Sequence, residues 1–120
     1  MRVLVVEDDA ETRSLLERGL KEQLFRVDCV SEGLAAEATA QAGVFDAIIL
    51  DVVLPGRGGR LVYEALRERY PQMRFLFVSG FSPAAAQLGE ILDQGLEYLQ
   101  KPVPPAALLR AVRRILDQRP

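Results

Sequence analysis

The stretch RVLVVEDDAETRSLL, residues 2–16, sets the fold. Val3–Val6 form an unbroken apolar run that ends abruptly in three carboxylates, Glu7, Asp8 and Asp9. A short apolar run without alternation reads as a strand buried on both faces. Beyond the acids, Thr12, Leu16, Leu20 and Leu24 recur at helical spacing. Working outward, the same alternation returns. RVDCV (26–30) alternates like an edge strand, and an alanine-rich amphipathic stretch runs from Glu32 to Ala42. AIIL (47–50) ends at Asp51, and a Pro-Gly loop leads to a helix carrying Val62, Ala65, Leu66 and Arg69. RFLFVSG (74–80) is a fourth strand. Ser82-Pro83 then opens a helix bearing Leu88, Ile91 and Leu92. LEYLQ (96–100) is a fifth strand, and Lys101-Pro102 turns into a last helix with Leu108, Val112, Ile115 and Leu116 on one face. Five strands alternating with five helices predict βαβ units, hence a doubly wound parallel sheet covered on both faces.

The chain has 120 residues, enough for one domain, here taken as 1–120, and its 49% hydrophobic and 27% charged residues are those of a globular protein. A net charge of −2 leaves no basic footprint for nucleic acid or an anionic membrane. A single cysteine, Cys29, excludes an internal disulfide and suits a reducing compartment. With no histidine and one cysteine, zinc sites and histidine triads are excluded, so any metal must take oxygen ligands: magnesium, calcium or manganese. No apolar run is long enough to span a membrane, and Met1 leads directly into a strand with no signal sequence, so the chain is expected in the cytoplasm.

In a doubly wound sheet the ligand site lies beyond the carboxyl ends of the strands. The residues to weigh are therefore Glu7, Asp8, Asp9, Asp51, Ser79 and Lys101. Asp9 alone is best read as a helix cap. Asp51 alone would be a turn-initiating aspartate, Ser79 a hydroxyl ending its strand, and Lys101 a solvated charge before a proline. Together they are more. Two like charges about 4 Å apart repel by roughly 4 kcal/mol at an effective dielectric near 20. Carboxylates crowded on one rim need a proton, a lysine or a divalent cation. Magnesium takes one or two carboxylates and keeps waters for phosphate oxygens, which suits an open rim. Lys101 is one of only two lysines among fifteen basic residues and supplies a compact point charge. Ser79 can donate to an anion, and Gly80 leaves room for its approach. A carboxylate nucleophile, a hard cation, a lysine and a hydroxyl make a phosphoryl-transfer site.

VLVVEDD, ILDVVLPGRGG, LFVSGF and YLQKP, in this order and each at a strand end, make the chain resemble the receiver domain of two-component response regulators along nearly its whole length. The resemblance implies a flavodoxin-like (βα)5 fold with strand order 2-1-3-4-5. It implies that Glu7 and Asp8 bind Mg2+ (Mn2+ in its place) and that Val53 adds its backbone carbonyl. Asp51 would accept a phosphoryl group from a phosphohistidine on a sensor histidine kinase or histidine phosphotransfer protein. Lys101 would bind the phosphate. Ser79 and Tyr98 would form the switch, and the Lys101-Pro102 bond would be cis. The face of the fourth helix, fifth strand and fifth helix would respond, and would offer a surface for a homodimer. Some receivers belong to hybrid histidine kinases, and FVSGF and LLRAVRRILD are similar to those.

Gly58 departs from the family by standing where many members have aspartate, which weakens a helix start without touching the chemistry. Phe81 and Val53 would line the mouth with apolar groups, slowing water attack on a phosphoryl-aspartate. Other readings compete. An aspartate-nucleophile phosphatase needs an acid at position 53, which is valine. A flavin carrier would not place EDDAE at its phosphate loop. A nucleotide triphosphatase needs a Walker loop, which is absent. A receiver-like docking or dimerisation module, independent of phosphorylation, is the remaining alternative.

Overall fold

A computed structural model describes residues 1–80, 89 and 96–117. Five parallel strands, β1 (Arg2–Val6), β2 (Arg26–Val30), β3 (Ala47–Asp51), β4 (Arg74–Ser79) and β5 (Glu97–Gln100), form one sheet in the order β2-β1-β3-β4-β5. Helices α1 (Ala10–Glu22), α2 (Gly33–Ala40) and α3 (Gly59–Arg69) and the C-terminal helix (Pro105–Asp117) cover it. The helix expected from Ser82-Pro83 with Leu88, Ile91 and Leu92 lies outside the described residues, as does Phe81.

Successive residues of a strand point to opposite faces, so each apolar run feeds two cores. Leu4, Val6, Ile48, Leu50, Phe75 and Phe77 face α2 and α3, meeting Ala36, Ala40, Val62 and Leu66. Tyr63 packs edge-on against Phe75, with ring centroids 4.7 Å apart. Val3, Val5, Ile49, Leu76 and Val78 face α1 and the C-terminal helix, meeting Leu16, Leu20, Leu108, Val112 and Ile115. Each fully buried aliphatic side chain of this kind contributes about 1.5–3 kcal/mol. The predicted alternation of RVDCV is explained by position, because β2 is an edge strand and only partly buried.

Leu24 does not continue the helix face. The helix stops at Glu22, Leu24 adopts φ +68° and it is 90% exposed. Its amide still donates to the Lys21 carbonyl at 3.0 Å, while Phe25 N–H folds back onto Leu20. The apolar spacing ran on past a terminus that carries no glycine or proline signal.

Strand order reverses between β1 and β3, which pair with each other while β2 lies on the far side of β1. Their carboxyl ends open at this switch point, and the acidic residues stand there.

Candidate functional site

Three strands deliver the acids and the hydroxyl. Glu7 follows β1, and its amide donates to the Val30 carbonyl at 3.1 Å, carrying the sheet one residue further. The Glu7 side chain is fully buried. Asp8 is exposed beside it. Asp9 turns away to cap α1, accepting from the Thr12 amide at 2.9 Å and the Thr12 hydroxyl at 2.7 Å. These bonds hold its carboxyl below the usual carboxylate range. Asp51 ends β3, buried to 4% exposure, and Ser79 ends β4 fully buried.

Lys101 follows β5. Its amide donates to the Ser79 carbonyl at 2.7 Å, and the Lys101-Pro102 bond is cis. Its Nζ lies 2.7 Å from Asp51 Oδ2 and 2.5 Å from Glu7 Oε1. The other oxygen of Asp51, Oδ1, accepts from the Val53 amide at 3.0 Å. Asp8, Asp51, Val53, Ser79, Gly80 and Lys101 line a cleft of about 420 Å³.

The electrostatics are unbalanced. Burial pushes the Glu7 carboxyl up to about 7, hydrogen bonding to Asp51 pushes the same way, and Lys101 pulls against both. For Lys101, burial favours the neutral amine, but its bonds to Asp51 and Glu7 outweigh this and raise its pKa. Glu7 Oε1 is buried, makes no well-aligned hydrogen bond among the described residues, and faces the lysine's charge at 2.5 Å. Oxygens of Glu7, Asp8 and Asp51 all lie within 4.8 Å of one another. Such a set of hard donors with one under-satisfied buried oxygen fits a divalent cation.

The structure thus gathers Glu7, Asp8, Asp51, Ser79 and Lys101, and sets Val53 on the rim, half exposed. Tyr98 is placed differently. It pairs with Phe77 in the sheet and packs, partly buried, against the core under α2 and α3, away from the cleft lining.

Two contributors escaped the sequence reading. Arg13 Nη1 donates to the carbonyls of Glu7 at 2.9 Å and Asp8 at 3.4 Å, fastening the acidic turn to α1. Gly59 opens α3 so close to Asp51 that a Cβ there would stand 2.1 Å from the Asp51 carbonyl oxygen. An arginine one turn into a helix after an acidic run is a usable signal for the first. The second has none in one sequence.

Residues 3–113 match the family model described as the response regulator receiver domain. The chain belongs to this family. It is 34% identical over 116 residues to the transcriptional activator protein IrlR of Burkholderia pseudomallei, covering 97% of this chain and 50% of that protein. The transcriptional regulatory protein CusR of Escherichia coli K12 is equally similar, at 34% over 97% of this chain and 51% of its own length. The chain therefore spans about half the length of these relatives. Among solved structures, the CheY-like receiver domain protein of Methanospirillum hungatei JF-1 superposes with a TM-score of 0.88 at 25% identity, covering 97% of this chain and 93% of that one. The BeF3-activated N-terminal receiver domain of Klebsiella pneumoniae RstA gives 0.86 at 28%, covering 98% and 100%. The fold and the family agree with the sequence reading, and among the described residues of this receiver no helix is long and apolar enough to cross a membrane.

Proposed function

We propose that this receiver is a Mg2+-dependent phosphoacceptor switch with Asp51 as the acceptor. The supporting observation is the placement of Asp51, with one carboxylate oxygen 2.7 Å from Lys101 Nζ and the other held by the Val53 amide at 3.0 Å, on a cleft that Asp8 also lines and with the buried Glu7 carboxylate within 4.8 Å. The donor is a phosphohistidine on a sensor histidine kinase or a histidine phosphotransfer protein. An oxygen of Asp51 attacks phosphorus, the phosphorus–nitrogen bond breaks, and the electron pair leaves with the partner's imidazole. Lys101 neutralises charge on the acyl phosphate, while Ser79 donates to a phosphoryl oxygen over the open Gly80.

Glu7, Asp8, Asp51 and the Val53 carbonyl would hold Mg2+, with Mn2+ as a substitute. The cation supplies charge neutralisation for the phosphoryl oxygens. Movement of Ser79 toward the phosphate and of Tyr98 inward would shift a pre-existing equilibrium on the face of β5 and the C-terminal helix. That face would engage the output partner or a second copy, in the cytoplasm, with residues 1–120 acting as one receiver domain and no direct contact with nucleic acid.

The test is the intact mass after incubation with acetyl phosphate and Mg2+. One phosphoryl adduct is expected, absent from Asp51→Asn and from metal-free protein. A folded wild type that takes no adduct from several phosphodonors would point instead to a phosphorylation-independent docking module.

A further inference from the structure

The loop between β3 and α3 carries Val53 and is gripped at two places. At its neck, the Val52 amide donates to Val78 at 3.1 Å, and the Gly59 amide donates back to Val52 at 3.0 Å. At its crown, past Gly56 with φ +73°, it touches α2. Gly33 opens that helix without a side chain, and a Cβ there would lie 2.2 Å from the Arg57 carbonyl oxygen. One turn on, Glu37 Oε2 meets Arg57 Nε at 2.5 Å. Both facing atoms are buried, and among the described residues neither has an aligned hydrogen bond, so each depends on the other's charge. The helix behind Glu37 is firmly seated, since Ala36 and Ala40 are fully buried in the core.

Neither residue touches the cleft. The connection runs through the backbone, from Arg57 along the loop to Val53, whose amide fixes Asp51 Oδ1. A partly exposed ion pair contributes little to global stability. Its use here is to set where the loop stands.

We infer that Glu37 and Arg57 are positioning residues, an α2 strap that holds the Val53 backbone in place and so sets the affinity of the Glu7–Asp8–Asp51 cluster for a divalent cation. The inference rests on the metal-dependent reading above. It separates from simple electrostatics by sign. Long-range charge alone makes Glu37→Gln weaken cation binding and Arg57→Gln strengthen it. A strap makes both weaken it.

The experiment titrates Mn2+ into the full chain and follows the free ion by electron paramagnetic resonance, with urea unfolding of every variant alongside. Glu37→Gln and Arg57→Gln are each expected to weaken Mn2+ binding by about tenfold, as loss of a supporting contact behind metal ligands commonly does. The reversed pair Glu37→Arg with Arg57→Glu is expected to recover most of that loss. Arg60→Gln, which removes an exposed pair within α3, should leave affinity unchanged. Unchanged affinity in both single variants overturns the strap, as do opposite shifts in the two. A loss that the reversed pair fails to restore, matched by an equal loss of folding stability, overturns it as well. Wild-type protein that binds no Mn2+ defeats the metal reading itself and the strap with it, a result visible before any variant is made.

Discussion

Each end of the sheet sets a basic side chain 2.7 Å from an aspartate carboxylate, and the two ends differ in burial. At the amino end, Arg2 Nη2 lies 2.7 Å from Asp28 Oδ2, and both side chains are about two-fifths exposed. The Arg2 amide donates to Asp46 at 2.8 Å, and its guanidinium sits 5.3 Å over the Phe45 ring. At the carboxyl end, Lys101 Nζ is likewise 2.7 Å from Asp51 Oδ2, but the Asp51 side chain is only 6% exposed and that of Glu7 is fully buried. Water screens the first pair and hardly reaches the second. An equal distance therefore describes a surface tether at one end and, at the other, a cluster of excess negative charge held in check by one lysine.

The sharpest way to break this comparison is to remove the lysine. In Lys101→Met the two buried carboxylates lose their cation, and breaking a buried pair typically costs about 3 kcal/mol or more. We expect a loss of about 3 kcal/mol in metal-free urea unfolding, partly restored by millimolar Mg2+ through binding linkage. A loss no larger than that of an Arg2 substitution would show that burial does not set the difference.

Crowding at the same end gives the next effect. Gly59→Ala forces a methyl group against the Asp51 carbonyl, which must shift with the backbone of β3 and α3. Overpacking of this kind costs about 2 kcal/mol, and the displaced Asp51 should also phosphorylate more slowly with acetyl phosphate. Normal stability with normal phosphorylation would mean that α3 can slide away freely.

Asp51→Asn tests the sign. It removes one of the competing carboxylates and leaves Lys101 to Glu7, so metal-free stability at neutral pH should rise by about 1 kcal/mol while phosphorylation is lost. Neutralising Asp28 at the other end should do the opposite and slightly lower stability. A functional group whose removal stabilises the fold is one retained for something other than folding.

How far each end was legible follows from the same contrast. Glu7, Asp8, Asp51, Ser79 and Lys101 could be read because each stands at or just past the carboxyl end of a strand, and strand ends are where a parallel sheet exposes its chemistry. Asp9 was legible as a cap from its place before a helical period. Tyr98 became a site candidate only through family resemblance, and in the structure it packs beside Phe77 against the core. Contacts between distant segments left no periodic trace. Glu37 with Arg57, Gly33 under the Arg57 carbonyl and Gly59 against Asp51 depend on how helices lie across loops. Leu24 shows the reverse failure, a residue with the right period placed beyond a helix end that nothing local announces.

At the amino end a double-mutant cycle on Arg2 and Asp28 should give a coupling of about 0.5 kcal/mol that shrinks as salt rises. A coupling that is large and insensitive to salt would mean that exposure at this end is not screening the pair.

A last effect, confined to alkaline pH, comes from Cys29, on the edge strand between the two ends, where a half-buried group is held neutral instead of charged. Burial, then the nearby Glu17 carboxylate, pushes its thiol from 9.0 up to about 11. The folded state therefore keeps a proton that the unfolded state releases first. Its contribution is fully present below pH 9 and disappears as pH climbs toward 11, because over that interval the native chain binds more protons than the unfolded one. Stability measured across this window should fall more steeply in wild type than in Cys29→Ser. Below pH 9 the two slopes should coincide, and iodoacetamide should label the native thiol at pH 8 about a hundredfold more slowly than the unfolded one. Equal labelling rates would place Cys29 in water and remove the neutral, half-buried middle ground that separates the screened end of the sheet from the charged one.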